Sequence, residues 1–249
     1  MKFFLRAFYK FRIILPKFYF GKNVSELLLD HIEPVIYYDK WDIQPFNGQA
    51  QRLKTILTIA RIFDATEVIE TGTFMGSSTP YLASLASNKT YTIEIDKRNV
   101  YLANRRFKKN HTDLNIDLIN GDSAVEIKNI LKKIDPEVSR IIAYLDAHWL
   151  ADIPTSLELS ALDEWGGAWV AIIDDFKIEN DLGFGFDEYN GTIIGKGIIP
   201  DIKEVSIFVP SHKSSLETGR RKGTGYIFNK KSQLLVRPEE FVELKQIFN

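Results

Sequence analysis

Glu67-Val-Ile-Glu70-Thr-Gly72-Thr-Phe-Met-Gly76-Ser-Ser78 is a short apolar run that breaks at one glycine, turns through a second and resumes on hydroxyl residues. The pattern predicts a strand over Glu67–Thr71, a tight loop, and a helix over Ser77–Ser87. Glycine lets a backbone come close to a ligand, and a helix that begins on Ser77 and Ser78 presents polar groups there. The spacing is Gly-x-x-x-Gly rather than the G-x-G-x-x-G of a dinucleotide fingerprint, so the loop does not advertise a pyrophosphate cradle.

Outward from this loop the same rhythm repeats. Gln49–Phe63 upstream has helical spacing, with Leu53, Ile56, Leu57 and Ala60 on one face. Downstream, strands are expected at Thr90–Ile95, Ile116–Ile119, Arg140–Leu145 and Trp169–Ile173, with helices at Asn99–Asn110, Ala124–Lys133 and Thr155–Trp165 between them. Strands that alternate with helices of this length build right-handed βαβ units and a parallel sheet. Trp169–Ile173 is nearly all apolar, as a strand covered on both faces must be. The rhythm then breaks. Residues 177–200 form a long insertion rich in glycine and aromatics. Val205–Val209 and Tyr226–Asn229 follow as two strands joined by the polar stretch Ser211–Gly225, which predicts an antiparallel close to the sheet.

The chain has 249 residues, enough for one large domain with a terminal addition. We divide it into an N-terminal extension over residues 1–45 and an α/β domain over 46–249. The first 25 residues carry Lys2, Arg6, Lys10, Arg12, Lys17 and Lys22, no acid, and eight aromatics. On a helix Phe4, Phe8, Phe11 and Leu15 share a face opposite Lys2, Arg6 and Lys10. That face suits either docking onto the main domain or a twin subunit, or peripheral contact of residues 1–22 with an anionic membrane. A stop at Pro16 and a second helix near Ser25–Ile32 complete the extension. No signal-peptide pattern and no spanning run is read, so a cytoplasmic protein, membrane-peripheral at most, is expected. Net charge is −1, which gives no global reason to expect a nucleic-acid partner, and the absence of cysteine excludes disulfides and thiolate metal sites.

In doubly wound sheets, ligands bind beyond the carboxyl ends of the strands. There the chain offers the Glu70–Gly76 loop, then Glu94 at the end of YTIEID, then Asn120-Gly121-Asp122-Ser123. A carboxylate at Glu94 can accept both hydroxyls of a ribose, and Asp122 can accept from an adenine amino group. Singly, each acid also suits a helix cap or a solvated loop; their order at three successive strand ends carries the reading.

Over about residues 49–230 these features resemble the class I S-adenosylmethionine-dependent methyltransferases. ETGTFMG is similar to that family's first motif, with Thr71 between the acid and the glycine; YTIEID is similar to the ribose-binding strand, and GDS to the adenine-contacting motif. The resemblance implies a doubly wound, mostly parallel seven-stranded Rossmann-like sheet with helices on both faces and its last strand antiparallel. It also implies S-adenosylmethionine as cofactor, in contact with Glu70, Thr71, Gly72, Thr73, Gly76, Ser77, Ser78, Glu94, Ile95, Gly121, Asp122, Ser123 and Asp146. PFNGQAQR, before the first strand, resembles bacterial members and adds Gln49.

The fourth strand ends Asp146-Ala-His148-Trp149 and the fifth Asp174-Asp175-Phe176. As neighbours they bring three carboxylates and an imidazole beside the cofactor. Hard divalent cations such as Mg²⁺ take oxygen ligands, and a bound cation acidifies a substrate hydroxyl. Here the chain resembles the metal-dependent O-methyltransferases of the catechol and macrocin types. The resemblance implies Asp146, Asp174 and Asp175 as metal ligands, and His148 with Asp146 as catalytic groups. Ala147 and the lack of a lysine after Trp149 depart from the catechol pattern and favour the macrocin one. Adjacent aspartates on a regular strand point to opposite faces, so Asp174 and Asp175 share an ion only where the strand has ended.

The expected reaction is methyl transfer to a hydroxyl of a small-molecule or saccharide acceptor, with a homodimer compatible with the aromatic arm. The insertion at Asp181–Ile199 reads as a mobile lid, and Glu217–Gly223 as either an anion-binding turn or a hairpin connection. His111 and His212 read as surface residues. An NAD-dependent oxidoreductase and a non-catalytic cofactor-binding module at a membrane surface remain the alternatives.

Overall fold

The computed structural model describes residues 44–148 and 153–248. The extension read over residues 1–45, with its membrane and dimer contacts, lies outside the described residues except at its last two positions. Trp149 lies outside them too.

A 3-10 turn at Pro45–Gly48 leads into α1 (Ala50–Phe63). Then come β1 (Glu67–Thr71), α2 (Thr79–Ala83), β2 (Lys89–Glu94), α3 (Lys97–Asn110), β3 (Ile116–Asn120), α4 (Ser123–Leu131), β4 (Arg140–Leu145), α5 (Thr155–Trp165) and β5 (Ala168–Asp174). Two short strands, β6 (Glu188–Tyr189) and β7 (Thr192–Ile193), lie in the insertion. The chain closes with β8 (Ser206–Pro210), β9 (Thr224–Phe228), α6 (Lys230–Leu235) and β10 (Leu244–Phe248).

The main sheet runs β10-β8-β9-β5-β4-β1-β2-β3. β3, β2, β1, β4 and β5 are mutually parallel, whereas β9 is antiparallel to both β5 and β8. Strand order reverses between β1 and β4, which sets the ligand crevice beyond Thr71 and Leu145. The antiparallel close is as expected, but the sheet has eight strands rather than seven. β10 pairs antiparallel with β8 and extends the edge.

Alternation along the strands builds two cores. Ile142, Tyr144, Val170, Ile172, Tyr226 and Phe228 meet Ile56, Ile59 and Phe63 of α1 on one face. Ile141, Ala143, Leu145, Trp169, Ala171 and Ile173 meet Ile127 and Ile130 of α4 and Leu159 and Leu162 of α5 on the other. Every residue of β5 is buried, so the sheet's centre is closed to water and its carboxyl edge is where polar groups can emerge.

α2 is much shorter than the helix expected over Ser77–Ser87. Its N-terminus is given up to side-chain work: Ser78 Oγ accepts from the Phe46 N–H at 3.1 Å and Thr79 donates to Glu70 at 2.6 Å. At the other end Ser84 Oγ donates back to the Tyr81 carbonyl at 2.6 Å, an alternative to continued helix.

Candidate active site at the carboxyl edge of the sheet

Gly72 must be glycine. It sits at φ +81°, and a Cβ there would lie 2.2 Å from the Asp146 carbonyl oxygen, so the first loop passes directly against the end of β4. Thr71 and Thr73 are buried, and the Thr73 and Thr92 hydroxyls lie 2.5 Å apart. Glu70 is buried too, and its Oε2 accepts from both Thr79 (2.6 Å) and Thr92 (2.5 Å). Burial, only partly offset by these hydroxyls, pushes its carboxyl up to about 7. Gly76 packs on Phe107 and Ala103 of α3.

Glu94 holds the loop from β2. One oxygen accepts from the Phe74 N–H at 2.7 Å and the other from the Asp96 N–H at 2.8 Å. Burial nonetheless raises its pKa. Ile95, just beyond, is 71% exposed, an apolar side chain left open at a strand tip. Asp122 caps α4 by accepting from the Ala124 N–H at 2.9 Å, with Gly121 before it and buried Ser123 after it. The Gln49 amide is committed elsewhere: it donates to the Lys222 carbonyl at 2.9 Å and accepts from the Lys222 N–H at 2.7 Å.

This last contact belongs to a clamp between residues 47–52 and the Glu217–Gly223 loop. Glu217 accepts from the N–H groups of Gln51 and Arg52 (both 3.1 Å), so it caps α1 from 165 residues away. The Arg220 N–H donates to the Asn47 carbonyl, and Gly219 at φ +62° would place a Cβ 2.2 Å from that same oxygen. Of the two readings of Glu217–Gly223, this clamp favours the connection: Glu217, Thr218 and Lys222 are bonded to the chain itself. His212 is likewise no free surface residue. Its Nε2 lies 3.4 Å from Glu217 and its ring meets Phe184 edge-on.

Arg52 was not picked out from the sequence, although it lies in line with Ile56, Ile59 and Phe63 on the buried face of α1. Its guanidinium stands 2.5 Å from Asp174 Oδ1 and donates to the carbonyls of Lys222 (2.6 Å) and Gly223 (3.3 Å). Asp174 also accepts from Tyr144 (2.8 Å), Asn47 (3.1 Å) and the Asp175 N–H (2.7 Å). Both its oxygens are therefore engaged, and it does not join the other expected metal ligands.

Asp175 does. At φ 55° it leaves the strand in the left-handed region, which turns its side chain away from Asp174's direction. Asp146, His148 and Asp175 bring ligand atoms within 4.8 Å of one another. His148 Nε2 lies 3.7 Å from Asp146 Oδ1 and 3.8 Å from Asp175 Oδ2. The imidazole is buried, and among the described residues neither nitrogen has a partner at ordinary hydrogen-bond geometry. Asp146 keeps 37% of its side chain open to the crevice. The surrounding protein still strips much of its hydration, and with the Asp174 and Asp175 charges this holds its carboxyl well above the usual range. Asp175 is raised for the same reasons, against the pull of His148 and Lys222.

The insertion is a wall rather than a loose lid. Phe184, Ile194 and Ile198 are buried in the core, and backbone bonds tie Gly185 to Arg221 and Gly223, and Asp187 to Asp175. Its tip is a hairpin through Asn190 and Gly191, both at positive φ, the two-residue turn that Asn-Gly favours. Tyr189 lies 6.2 Å from the His148 ring and donates to Asp187 at 2.9 Å. Lys222 Nζ is paired with Asp187 and stands 3.1 Å from Asp175 Oδ1.

No protein-family model matches the chain, and no curated protein matches its sequence. Solved structures do. The O-methyltransferase TomG from Streptomyces achromogenes, in complex with SAM, aligns with a TM-score of 0.54 at 16% identity, over 72% of this chain and 80% of that one. An O-methyltransferase from Bacillus cereus in complex with SAH gives 0.52 at 16% identity over 86% and 95%. Cofactor-bound Rv0187 from MTB gives 0.51 at 14% over 87% and 94%. Those alignments, with the strand order and the reversal between β1 and β4, establish that the chain has the Rossmann-like fold of the S-adenosylmethionine-dependent methyltransferases.

Proposed function

We propose that the chain transfers a methyl group from S-adenosylmethionine to a hydroxyl of a small-molecule or saccharide acceptor, assisted by a divalent cation such as Mg²⁺. The observation that carries the reading is the convergence of Asp146, His148 and Asp175 beside the Gly72 loop. The nucleoside would lie along the ends of β1, β2 and β3. There Glu94 would exchange a backbone partner for the ribose hydroxyls, Ile95 would cover the base, and Asp122 would use the oxygen not spent on the cap. Glu70, Thr71, Thr73 and Gly76 would shape the loop from behind, while the half-buried Ser77 and Ser78 would border the cofactor's amino-acid end. Gln49 acts indirectly in this reading, by fixing Lys222.

The cation would be held by Asp146, His148 and Asp175 rather than by Asp146, Asp174 and Asp175. The residues fit such an ion. His148 Nε2 is a buried nitrogen without a hydrogen-bond partner among the described residues, and the carboxylates offer hard oxygens. Four carboxylates (Asp146, Asp174, Asp175 and Asp187) stand against Arg52 and Lys222, a deficit that one divalent cation neutralises. When bound, the ion supplies acidification of the acceptor hydroxyl. Asp146, the most open member, is the group placed to take the acceptor's proton, and His148 serves as ligand instead of base. Because methyl transfer is a displacement at carbon, holding the acceptor oxygen in line is the protein's main contribution.

Calorimetric titration with S-adenosylhomocysteine, NAD⁺ and Mn²⁺ tests this. Micromolar S-adenosylhomocysteine binding without NAD⁺ binding, and Mn²⁺ uptake lost in Asp146→Ala, are expected. NAD⁺ binding alone would overturn the cofactor reading, and Mn²⁺ uptake indifferent to Asp146→Ala would overturn the cation site.

A further inference from the structure

Glu158 lies on the inward stripe of α5, in line with Thr155, Leu159 and Leu162, and is fully buried. A carboxyl group so placed should be hydrogen-bonded, yet among the described residues neither of its oxygens meets a donor at ordinary hydrogen-bond geometry, and the nearby, buried Thr71 hydroxyl is not closely paired either. His148 shows the matching deficit from the other side. Its Nε2 faces Asp146 and Asp175, so Nδ1 is the nitrogen left to be satisfied from elsewhere.

We propose that Glu158 is the positioning residue for His148, accepting a hydrogen bond from Nδ1–H, directly or through one water, so that an unprotonated Nε2 faces Asp146 and Asp175. The inference rests on the reading of those three residues as a cation site. A carboxylate behind a ligating histidine fixes its tautomer and ring orientation and raises its basicity. The electrostatics agree. Burial raises the Glu158 carboxyl to about 7, while the Ser123 and Thr71 hydroxyls, close by though not at ordinary hydrogen-bond geometry, and then His148 pull it back toward the ionised form. Thr71 ends β1, Ser123 opens α4 and His148 follows β4, so Glu158 stands where the cofactor loop and the cation cluster share a foundation.

The test uses the full chain labelled with ¹⁵N-histidine, whose four imidazoles are assigned by single substitutions. In the metal-free protein His148 is expected as the Nδ1–H tautomer, and Glu158→Gln should shift both of its nitrogen resonances. Mn²⁺ affinity of Glu158→Gln should fall about tenfold, with Glu158→Asp recovering part of it. A wild-type Nε2–H tautomer overturns the proposal, a result that needs no variant to fold. So do unmoved His148 signals in Glu158→Gln, or Mn²⁺ affinity unchanged in that variant. If wild type takes up no Mn²⁺ while the tautomer and its dependence on Glu158 hold, the cation reading falls and the positioning of His148 by Glu158 stands.

Discussion

Arg52 and Asp174 form an ion pair of 2.5 Å in which neither side chain is more than 2% exposed. A charge pair out of contact with water is held by mutual attraction only while both members remain and their other polar atoms are satisfied. Here the guanidinium reaches Tyr144 and two carbonyls besides, and burial, which would lower its pKa, is outweighed by the Asp174 charge. Arg52→Met should therefore cost about 3–5 kcal/mol, because Asp174 is left buried and unpaired. Arg52→Lys should cost nearly as much, since one ammonium cannot reproduce the fork. Urea denaturation measures both; a loss below about 1 kcal/mol for either would show that the pair is not what holds α1 to β5.

Glu217 should make the fold sensitive to acid. Although burial favours its protonated form, His212 and the N–H groups of Thr218, Gln51 and Arg52 prevail and hold its carboxyl at about 2. A depressed pKa contributes stability that is fully present above the unfolded value and lost as pH falls toward the folded one. Glu217→Gln should thus lose about 3 kcal/mol at neutral pH, and its gap from wild type should close between about pH 4.5 and pH 2. Denaturant midpoints across that range measure it; a gap independent of pH would mean that Glu217 acts by shape alone.

Glu70 has the opposite sign. Its carboxyl is raised to about 7, so the native state resists its ionisation and stability falls as pH rises from about 4.5 through 7. Both hydroxyls that serve it bond the same oxygen, and the carbonyl of a glutamine can accept from both. Glu70→Gln should therefore be more stable than wild type by about 2–3 kcal/mol at pH 9 and equal to it near pH 4. Thermal melts at the two pH values decide. A variant less stable at both would show that the buried charge is compensated.

The strands and the antiparallel close were legible because a strand buried on both faces has to be a continuous apolar run, as Trp169–Ile173 is. β10 was not, since Leu244-Lys-Gln-Ile-Phe248 is a weak alternation that forms only because β8 offers it an edge. Asn190-Gly191 carried a readable hairpin signal that glycine content and length overshadowed. Which aspartate turns where could not be read at all, because the left-handed φ of Asp175 and the buried arginine beneath Asp174 are settled by tertiary packing. Yet two signals were in plain view. Arg52 and Glu158 each break an apolar helical stripe, and a charged residue on such a stripe announces a buried partner.

Asp175 divides its two oxygens between Lys222 at 3.1 Å and the side facing His148 at 3.8 Å, and Lys222 holds Asp187 as well. The main chain of Lys222 cannot drift, because Gln49 and Arg52 hold its carbonyl and Gln49 its N–H. The ammonium is thus a fixed internal counter-ion to the same carboxylate that the proposed cation needs. Two effects compete when it is removed. Loss of a neighbouring positive charge tightens cation binding, while loss of the Asp187 tether loosens the wall and weakens it. The backbone bonds from Gly185 and Asp187 keep that wall in place without the lysine, so the charge effect should win. Lys222→Met is expected to bind Mn²⁺ about tenfold more tightly than wild type, a gain of about 1.4 kcal/mol, and to lose that gain as salt is raised. Weaker binding in Lys222→Met, reproduced by Asp187→Asn, would mean instead that the tether is what forms the site.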